Sequence, residues 1–193
     1  MNRTTAIIGL GTSKLTTLKD YFLHEPVENV AYHFIDTADS NTVPDEVSFH
    51  LIGERRFHGL GSAGDVRRAE SAIKQDQAKL EAILSRYQRT IFLVGLGGGT
   101  GSAALPTVID LALQYEADFH CFASLPFLFE GEMRREIAAQ TLDKIGRYGD
   151  RITTIDQLHI MSILDGKKYQ STTHLFDVLN RAFVWKTVGY LLN

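Results

Sequence analysis

Apolar and polar positions alternate along this chain in blocks that are typical of strands followed by helices. Six short runs rich in apolar and β-branched residues predict buried strands. These runs are Thr5–Ile8, Val30–Ile35, Phe49–Ile52, Thr90–Val94, Asp118–Ala123 and Arg151–Ile155. Apolar residues at helical spacing predict helices near Lys14–Leu23, Val66–Tyr87, Ser102–Tyr115, Glu130–Tyr148 and Thr173–Leu192.

This alternation predicts an α/β fold, a Rossmann-like doubly wound sheet that is mostly parallel and carries helices on both faces. The segment Val66–Tyr87 keeps its apolar side chains on one side, so its other face is expected to meet solvent. No repeat or low-complexity linker divides the 193 residues. Residues 1–193 are therefore expected to form a single domain.

The segment Gly95-Leu-Gly-Gly-Gly-Thr-Gly-Ser102 carries the clearest chemical signal. A glycine-rich turn between a strand and a helix presents bare main-chain N–H groups at the positive end of the helix, which favours phosphate binding. The hydroxyls of Thr100 and Ser102 add donors. No Lys follows the last glycine, so the segment is not a Walker A loop, and it does not fit the dinucleotide fingerprint. The alternative is a flexible turn that only closes a βα unit.

Composition limits the classes of function. The net charge of −3 gives no electrostatic case for nucleic acid or anionic membrane, and no apolar run approaches the length of a membrane span. Cys121 lies in an apolar run and is expected to be a buried hydrophobe in a reducing compartment. The first strand leaves no room for a secretion signal, and the expected location is cytoplasmic. The histidines are scattered without ligand spacing, so no metal site is predicted.

Several segments of the chain resemble the tubulin/FtsZ superfamily. Gly97-Gly-Gly-Thr-Gly-Ser102 is similar to the tubulin signature in its FtsZ form, and Ser124–Arg135 is similar to the family's Lys-Pro-Phe, Phe-Glu-Gly and Arg segment. Gly59–Gly64 resembles a Gly-Leu-Gly-Ala-Gly loop, and Arg151–Ile155 resembles a later strand. The resemblance runs from Ile7 to Asn193 and covers only the nucleotide-binding, N-terminal domain of an FtsZ. It implies GTP or GDP as cofactor, with Mg²⁺.

The resemblance also implies that three loops bind the phosphates. The implied residues are Gly9, Gly11, Thr12, Ser13, Gly61, Ser62, Ala63, Gly97, Gly98, Gly99, Thr100, Gly101 and Ser102. Lys14 stands where the family has a longer glycine run, and it either adds a charge directed at phosphate or points to water. Asp36 or Asp39 either lies near the phosphates or Mg²⁺ or forms a turn.

A second implied set contacts the ribose and base. It contains Pro126, Glu130, Arg134, Asp156, Leu179 and Phe183. Glu130 is expected to accept from the ribose hydroxyls beside Arg134, and the alternative for this pair is a salt bridge that faces solvent. Asp156 stands at or beside the family's guanine-contacting position. Phe183 either stacks on a purine or belongs to the core, so the identity of the base stays open.

The resemblance implies a minimal GTP-binding protein that assembles with itself, or with a full-length FtsZ-like partner, into filaments or oligomers. The family's acidic catalytic loop and second domain would follow the last helix, so no catalytic residues and at most weak hydrolysis are expected. Apolar residues on two sides of Thr173–Leu192 predict a partner surface, unless this helix lies flat on its own sheet. One alternative is a non-hydrolysing regulatory module that binds a full-length relative. Another is a small oxidoreductase that uses Gly9-x-Gly11 and Asp36 for a dinucleotide.

Overall fold

The computed structural model describes residues 5–156, 159–160, 162 and 171–192. The strands of this described part form one sheet, in the order β3-β2-β1-β4-β5-β6, and each neighbouring pair is parallel. They are β1 (Thr5–Leu10), β2 (Val30–Asp36), β3 (Val47–Leu51), β4 (Arg89–Gly95), β5 (Asp118–Ser124) and β6 (Ile152–Ile155). The predicted parallel α/β sheet is confirmed.

The central strands are buried along most of their length. β1 is buried at all of its positions, because helices cover both faces of the sheet and exclude water from both. The register aligns the carboxyl ends of the strands: Leu10 pairs with Ile35 on one side and Val94 on the other, and Gly95 pairs with Ser124. The loops that follow β1, β2, β4 and β5 therefore leave the sheet at one common edge.

The helices form two layers, as the doubly wound prediction requires. They are α1 (Ser13–Thr17), α2 (Glu54–Phe57), α3 (Val66–Gln75), α4 (Gln77–Leu84), α5 (Gly99–Gln114), α6 (Glu132–Ile145) and α7 (Thr172–Leu192). One apolar core joins the sheet to α3, α4, α5 and α6. A second core, on the other face, joins it to α1 and α7.

Several helix boundaries differ from the prediction, and two of the differences have a clear local cause. The predicted helix Val66–Tyr87 is two helices, because Asp76 leaves the helical conformation between them. The carboxylate of Asp76 accepts a hydrogen bond of 2.7 Å from the Gly53 main-chain N–H, which fixes the break against a neighbouring loop. The fourth predicted helix begins two residues late, at Glu132, because Gly131 has a φ of 98° that ends the preceding turn.

Helix α7 buries one side and leaves apolar side chains on the other. Leu175 and Leu179 pack in the core, whereas Trp185 is 73% exposed and Leu192 is 81% exposed. Part of the apolar surface of this helix therefore faces solvent. Within the described residues, no helix combines the length and the apolar character needed to cross a membrane.

Candidate functional site

A cavity of about 570 Å³ opens at the carboxyl edge of the sheet. It lies where β1 and β4 are neighbours and the strand order reverses, which is the usual ligand crevice of a doubly wound sheet. Most of the predicted site residues contribute to its wall. They are Gly11, Thr12, Ser13, Gly61, Ser62, Ala63, Gly98, Gly99, Thr100, Gly101, Pro126, Glu130, Arg134 and Leu179.

A buried carboxylate at the end of β2 holds two of the loops together. Asp36 is 2% exposed. The Thr12 hydroxyl donates to Asp36 Oδ2 at 2.6 Å, and the Thr100 hydroxyl donates to Asp36 Oδ1 at 2.9 Å. The Thr37 main-chain N–H donates to the same Oδ1 at 2.7 Å. Because a buried carboxylate needs donors, these bonds fix the loops after β1 and β4 relative to each other.

The aspartates of the second loop both accept hydrogen bonds from the protein. Asp36 lines the cavity, and its oxygens accept from the Thr37 main-chain N–H and from the hydroxyls of Thr12 and Thr100. The oxidoreductase alternative assigned Asp36 to ribose hydroxyls, a role for which these donors leave few acceptor positions. Asp39 is exposed, and its carboxylate accepts a 2.8 Å hydrogen bond from the Ser40 main-chain N–H, which stabilises the turn.

The glycine-rich segment forms the first turn of α5. Gly98 is the N-cap, with φ −93° and ψ 167°, and Gly99 begins the helix. A Cβ at Gly99 would overlap Ser62 Oγ, and one at Gly101 would lie 2.9 Å from the Gly95 carbonyl oxygen. A Cβ at Gly98 would meet nothing within 4 Å. The first-turn N–H groups of this 16-residue helix have no partners inside the helix and favour an anion at this end.

The loop before α3 closes one side of the cavity. The Ser62 main-chain N–H donates to the Thr37 hydroxyl at 3.0 Å, and Thr37 Oγ1 lies 2.7 Å from Thr100 Oγ1. Leu60 forms an isolated antiparallel bridge with Ala38. Leu60 is nevertheless 86% exposed at the mouth of the cavity. One polar network thus connects the loops after β1, β2 and β4 with this loop.

Glu130 and Arg134 form the opposite side. The Glu130 carboxylate accepts from the Phe127 main-chain N–H at 2.8 Å and from Arg134 Nη1 at 2.9 Å. The Glu130 side chain is only 17% exposed, whereas that of Arg134 is 56% exposed. The salt bridge alternative is present in the structure, and both residues also line the cavity. A carboxylate has about four acceptor positions, so this pairing leaves Glu130 able to accept from a ligand.

Lys14 does not point to water. Its side chain is 1% exposed, and its Nζ lies 3.6 Å from the centroid of the Phe183 ring. Burial lowers the pKa of Lys14 to about 7, and the negative charge of Glu130 only partly opposes this effect. Phe183 is fully buried beneath Lys14 and is not part of the cavity wall. Of its two predicted roles, the structure places Phe183 in the core.

Four other predicted residues also lie off the wall. Gly9 is within β1, and Ser102 Oγ accepts a 2.9 Å bond from the Gly97 N–H, which stabilises the loop from behind. Asp156 accepts a 2.8 Å bond from the His159 N–H and lines a second, mainly apolar cavity of about 400 Å³ beside α6. The structure therefore separates Asp156 from the cavity where it was expected to meet a base.

Asn180 is a buried polar residue on the wall that does not belong to the predicted set. On a helix it faces about a hundred degrees away from Leu179, which was predicted. Both residues line the cavity, because its wall is wider than one helix face. The Asn180 Oδ1 accepts a 2.8 Å bond from the Thr17 hydroxyl. An amide among the apolar residues of α7 was the signal that the sequence offered.

A family model described as the GTPase domain of the Tubulin/FtsZ family matches residues 4–165. The cell division protein FtsZ of Helicobacter pylori is 29% identical over 178 residues, which cover 90% of this chain and 45% of that protein. The cell division protein FtsZ 1 of Methanocaldococcus jannaschii is 26% identical over 157 residues, covering 81% of this chain and 42% of that protein. The chain spans about half the length of these relatives.

Solved structures share the fold. The empty FtsZ dimer of M. jannaschii superposes with a TM-score of 0.83 at 22% identity, covering 94% of this chain and 52% of that one. CetZ2 from Haloferax volcanii, solved as a GTPγS-bound protofilament, gives a TM-score of 0.79 at 25% identity, covering 98% of this chain and 58% of that one. The sheet order, the glycine-rich edge and the family match agree, and the chain belongs to the tubulin/FtsZ family.

Proposed function

We propose that this chain binds a guanine nucleotide, GTP or GDP, in the cavity at the carboxyl edge of the sheet. The observation that carries the proposal is the open space at Gly98, where the N-terminus of α5 meets loops that Asp36 holds in place. The family match to a GTPase domain supports it, as does the likeness to CetZ2, which was solved with GTPγS.

In this proposal the phosphates lie against the N–H groups of residues 98–101, and the loops that carry Ser13 and Ser62 close around them. Thr100 contributes its main-chain N–H group to the phosphates, because its hydroxyl already donates to Asp36. Among the described residues, no three His, Cys, Asp or Glu side chains are grouped to hold a metal. Mg²⁺ would therefore enter with the nucleotide, whose phosphate oxygens are the hard ligands that it prefers, and would neutralise part of their charge.

Glu130 and Arg134 would bind the ribose, with Pro126 shaping their loop. Leu179 and Asn180 then stand on the α7 side of the cavity, where we place the base. Because Asn180 Oδ1 accepts from Thr17, its amide nitrogen is the atom left to donate. A donor at this point suits the O6 acceptor of guanine and does not suit the exocyclic amine of adenine.

We propose further that the nucleotide edge meets a second subunit, which is another copy of the chain or a full-length FtsZ-like protein. Large apolar side chains are exposed at the cavity. Leu60 and Phe176 line its wall, and the exposed ring of Phe129 lies 6.4 Å from that of Phe176. Such a concentration of exposed apolar surface is typical of an interaction site. The related FtsZ, solved as a dimer, and CetZ2, solved as a protofilament, support the same inference.

We propose that the 193-residue chain alone hydrolyses GTP slowly. The carboxylates on the described cavity wall are Asp36 and Glu130, and both accept hydrogen bonds from neighbouring groups. We assign Glu130 to the ribose and Asp36 to the loops that it holds together, so neither is assigned to position an attacking water, which is a principal requirement of phosphoryl transfer. A group from a second subunit would have to supply that role. A regulatory module that binds a full-length relative and hydrolyses nothing is the second form of this proposal.

Calorimetric titration of the purified chain with GDP, GTP and ATP tests the binding proposal. We expect saturable binding of GDP and GTP and weaker binding of ATP, and no binding of either guanine nucleotide would overturn the proposal.

Sedimentation with GTP tests the proposed assembly of subunits. Leu60→Glu at the cavity mouth should reduce the sedimenting fraction, whereas Leu113→Glu, at an exposed apolar position on α5, is the matched control. An equal effect of both variants would argue against assembly through the nucleotide edge.

A further inference from the structure

Lys14 is a buried cation without a carboxylate partner among the described residues. Its side chain is 1% exposed, and the described ion pairs within 4.0 Å do not include it. Buried lysines are rare and are usually paired, because removing an ammonium from water is costly. The ring of Phe183 beneath its Nζ, at 3.6 Å, compensates only in part.

The ammonium is nevertheless adjacent to the cavity. Lys14 contributes to the cavity wall, as do Ser13 and Ser124. The stem of Lys14 passes the end of β4: a Cβ built on Gly95 would lie 3.7 Å from Lys14 Cε, 2.6 Å from Ser13 Oγ and 3.6 Å from Ser124 Oγ. The buried charge is thus held between the glycine-rich loops and the side that carries Glu130. It lies where an anionic ligand would supply the counter-charge that the protein does not.

We propose that Lys14 is a ligand-binding residue whose ammonium pairs with a phosphate of the bound nucleotide, and that binding draws a proton from solvent onto Lys14. The inference rests on the proposed function, because it needs a phosphate-bearing ligand in the cavity. The change is a protonation only: the lysine amine gains a proton from buffer as the phosphate approaches, and no covalent bond to the ligand forms.

The charges around Lys14 set the direction of this linkage. Burial lowers the pKa of Lys14 to about 7, and Glu130 opposes the shift. Arg134, from α6, is paired with Glu130, and Asp36, from β2, is held by its own donors. On α7, the cavity-lining residue Asn180 carries no charge. Asp177 of the same helix forms a salt bridge with Arg181 and accepts a hydrogen bond from the Tyr21 hydroxyl. A phosphate would therefore be the added charge that raises the pKa of Lys14.

Proton uptake on nucleotide binding should depend on pH through the protonation of Lys14. Below about pH 6 Lys14 is already protonated in the empty site, so binding takes up almost no proton. Near about pH 8 it is mostly neutral, and binding takes up close to one proton. Affinity for a nucleoside diphosphate should accordingly fall by up to about tenfold for each pH unit above 7 until the pKa of the bound state is reached. A lysine that only fills the core would show neither effect.

The experiment is calorimetric titration with GDP and with guanosine in buffers of different protonation enthalpy. For the unaltered chain we expect proton uptake with GDP that grows between about pH 6 and about pH 8, and no uptake with guanosine. Lys14→Met should lose the uptake and bind GDP about tenfold or more weakly near pH 6, while its affinity for guanosine stays unchanged. Lys19→Met, at an exposed position on the next turn, is the matched control.

The possible failures are distinguishable. If the unaltered chain binds neither GDP nor GTP, the proposed function fails. If it binds GDP without proton uptake at any pH, or if folded Lys14→Met binds GDP as tightly as the unaltered chain does, the role of Lys14 is overturned. An equal loss for guanosine and GDP would contradict a phosphate contact. If Lys14→Met does not fold, the GDP affinity of Lys14→Gln and the proton uptake of the unaltered chain test the role of Lys14.

Discussion

Substitution of Gly98 separates ligand binding from folding more cleanly than any other change in the glycine-rich segment. Its φ of −93° and ψ of 167° are ordinary β-region values that valine adopts readily, and a Cβ there would meet no atom within 4 Å. The same change at Gly101 would push a Cβ to 2.9 Å from both the Gly95 carbonyl oxygen and Val94 Cγ2. A loss of binding in that variant would say little about the ligand.

The expected magnitudes follow from this geometry. Replacing a glycine N-cap with a branched residue costs on the order of 1 kcal/mol, but restricting the unfolded chain returns about 0.4–1 kcal/mol. The free energy of unfolding of Gly98→Val should therefore change by less than about 1 kcal/mol. The new side chain projects into the cavity where a phosphate would approach the N–H groups. Loss of one or two charge-assisted hydrogen bonds, at about 1.5–3 kcal/mol each, should weaken nucleotide binding by about tenfold to several hundredfold or more.

Two measurements on the same samples test this prediction. Urea denaturation followed by circular dichroism gives the free energy of unfolding, and calorimetry with GDP gives the affinity. Gly98→Ala should be intermediate in affinity, and Gly149→Ala, where a Cβ also meets nothing within 4 Å, should match the unaltered chain. GDP affinity that is unchanged in a stable Gly98→Val variant would refute the placement of the phosphates at α5.

Three further predictions concern other parts of the molecule. If Glu130 accepts from the ribose hydroxyls as proposed, Glu130→Gln should weaken binding of GDP by about tenfold in competition titrations, with little loss for a dideoxyribose analogue. Thr100→Val should lower the free energy of unfolding by about 1–3 kcal/mol in urea denaturation, since it removes a donor to buried Asp36, and Thr100→Ser should retain most of the stability. Burial, with the nearby positive charges, lowers the pKa of His33 from 6.5 to about 4, so its neutral form stabilises the fold above pH 6.5 and this contribution is lost as the pH falls toward 4. His33→Asn should flatten the fall of stability across that range, and an unchanged slope of stability against pH would contradict this assignment.

The fold was predictable because its signal is repeated along the chain. Buried parallel strands must be continuous apolar runs, and strands such as Thr90–Val94 have that pattern without help from the rest of the sequence. The break at Asp76 was not predictable in this way. It depends on a hydrogen bond to Gly53, which a periodicity argument about a single helix does not consider.

That the glycine-rich loops line one cavity was largely predictable, because parallel strands bring the loops after their carboxyl ends to one edge. The base side was less so. The assignments of Phe183 and Asp156 rest on the resemblance, at positions where the chain departs from the family pattern. Both side chains lie outside the first cavity, because a small difference in helix rotation or loop path is enough to move a side chain off its wall. The burial of Lys14 depends on Phe183, far along the chain, and no local pattern indicates it.

A crystal structure of the chain with GDP and Mg²⁺ tests the central claim most directly. The account predicts the diphosphate within hydrogen-bonding distance of the main-chain N–H groups at Gly98–Gly101, with the ribose beside Glu130 and the base toward Asn180. GDP bound in the second cavity beside α6, or a first cavity that stays empty at saturating GDP, would contradict it.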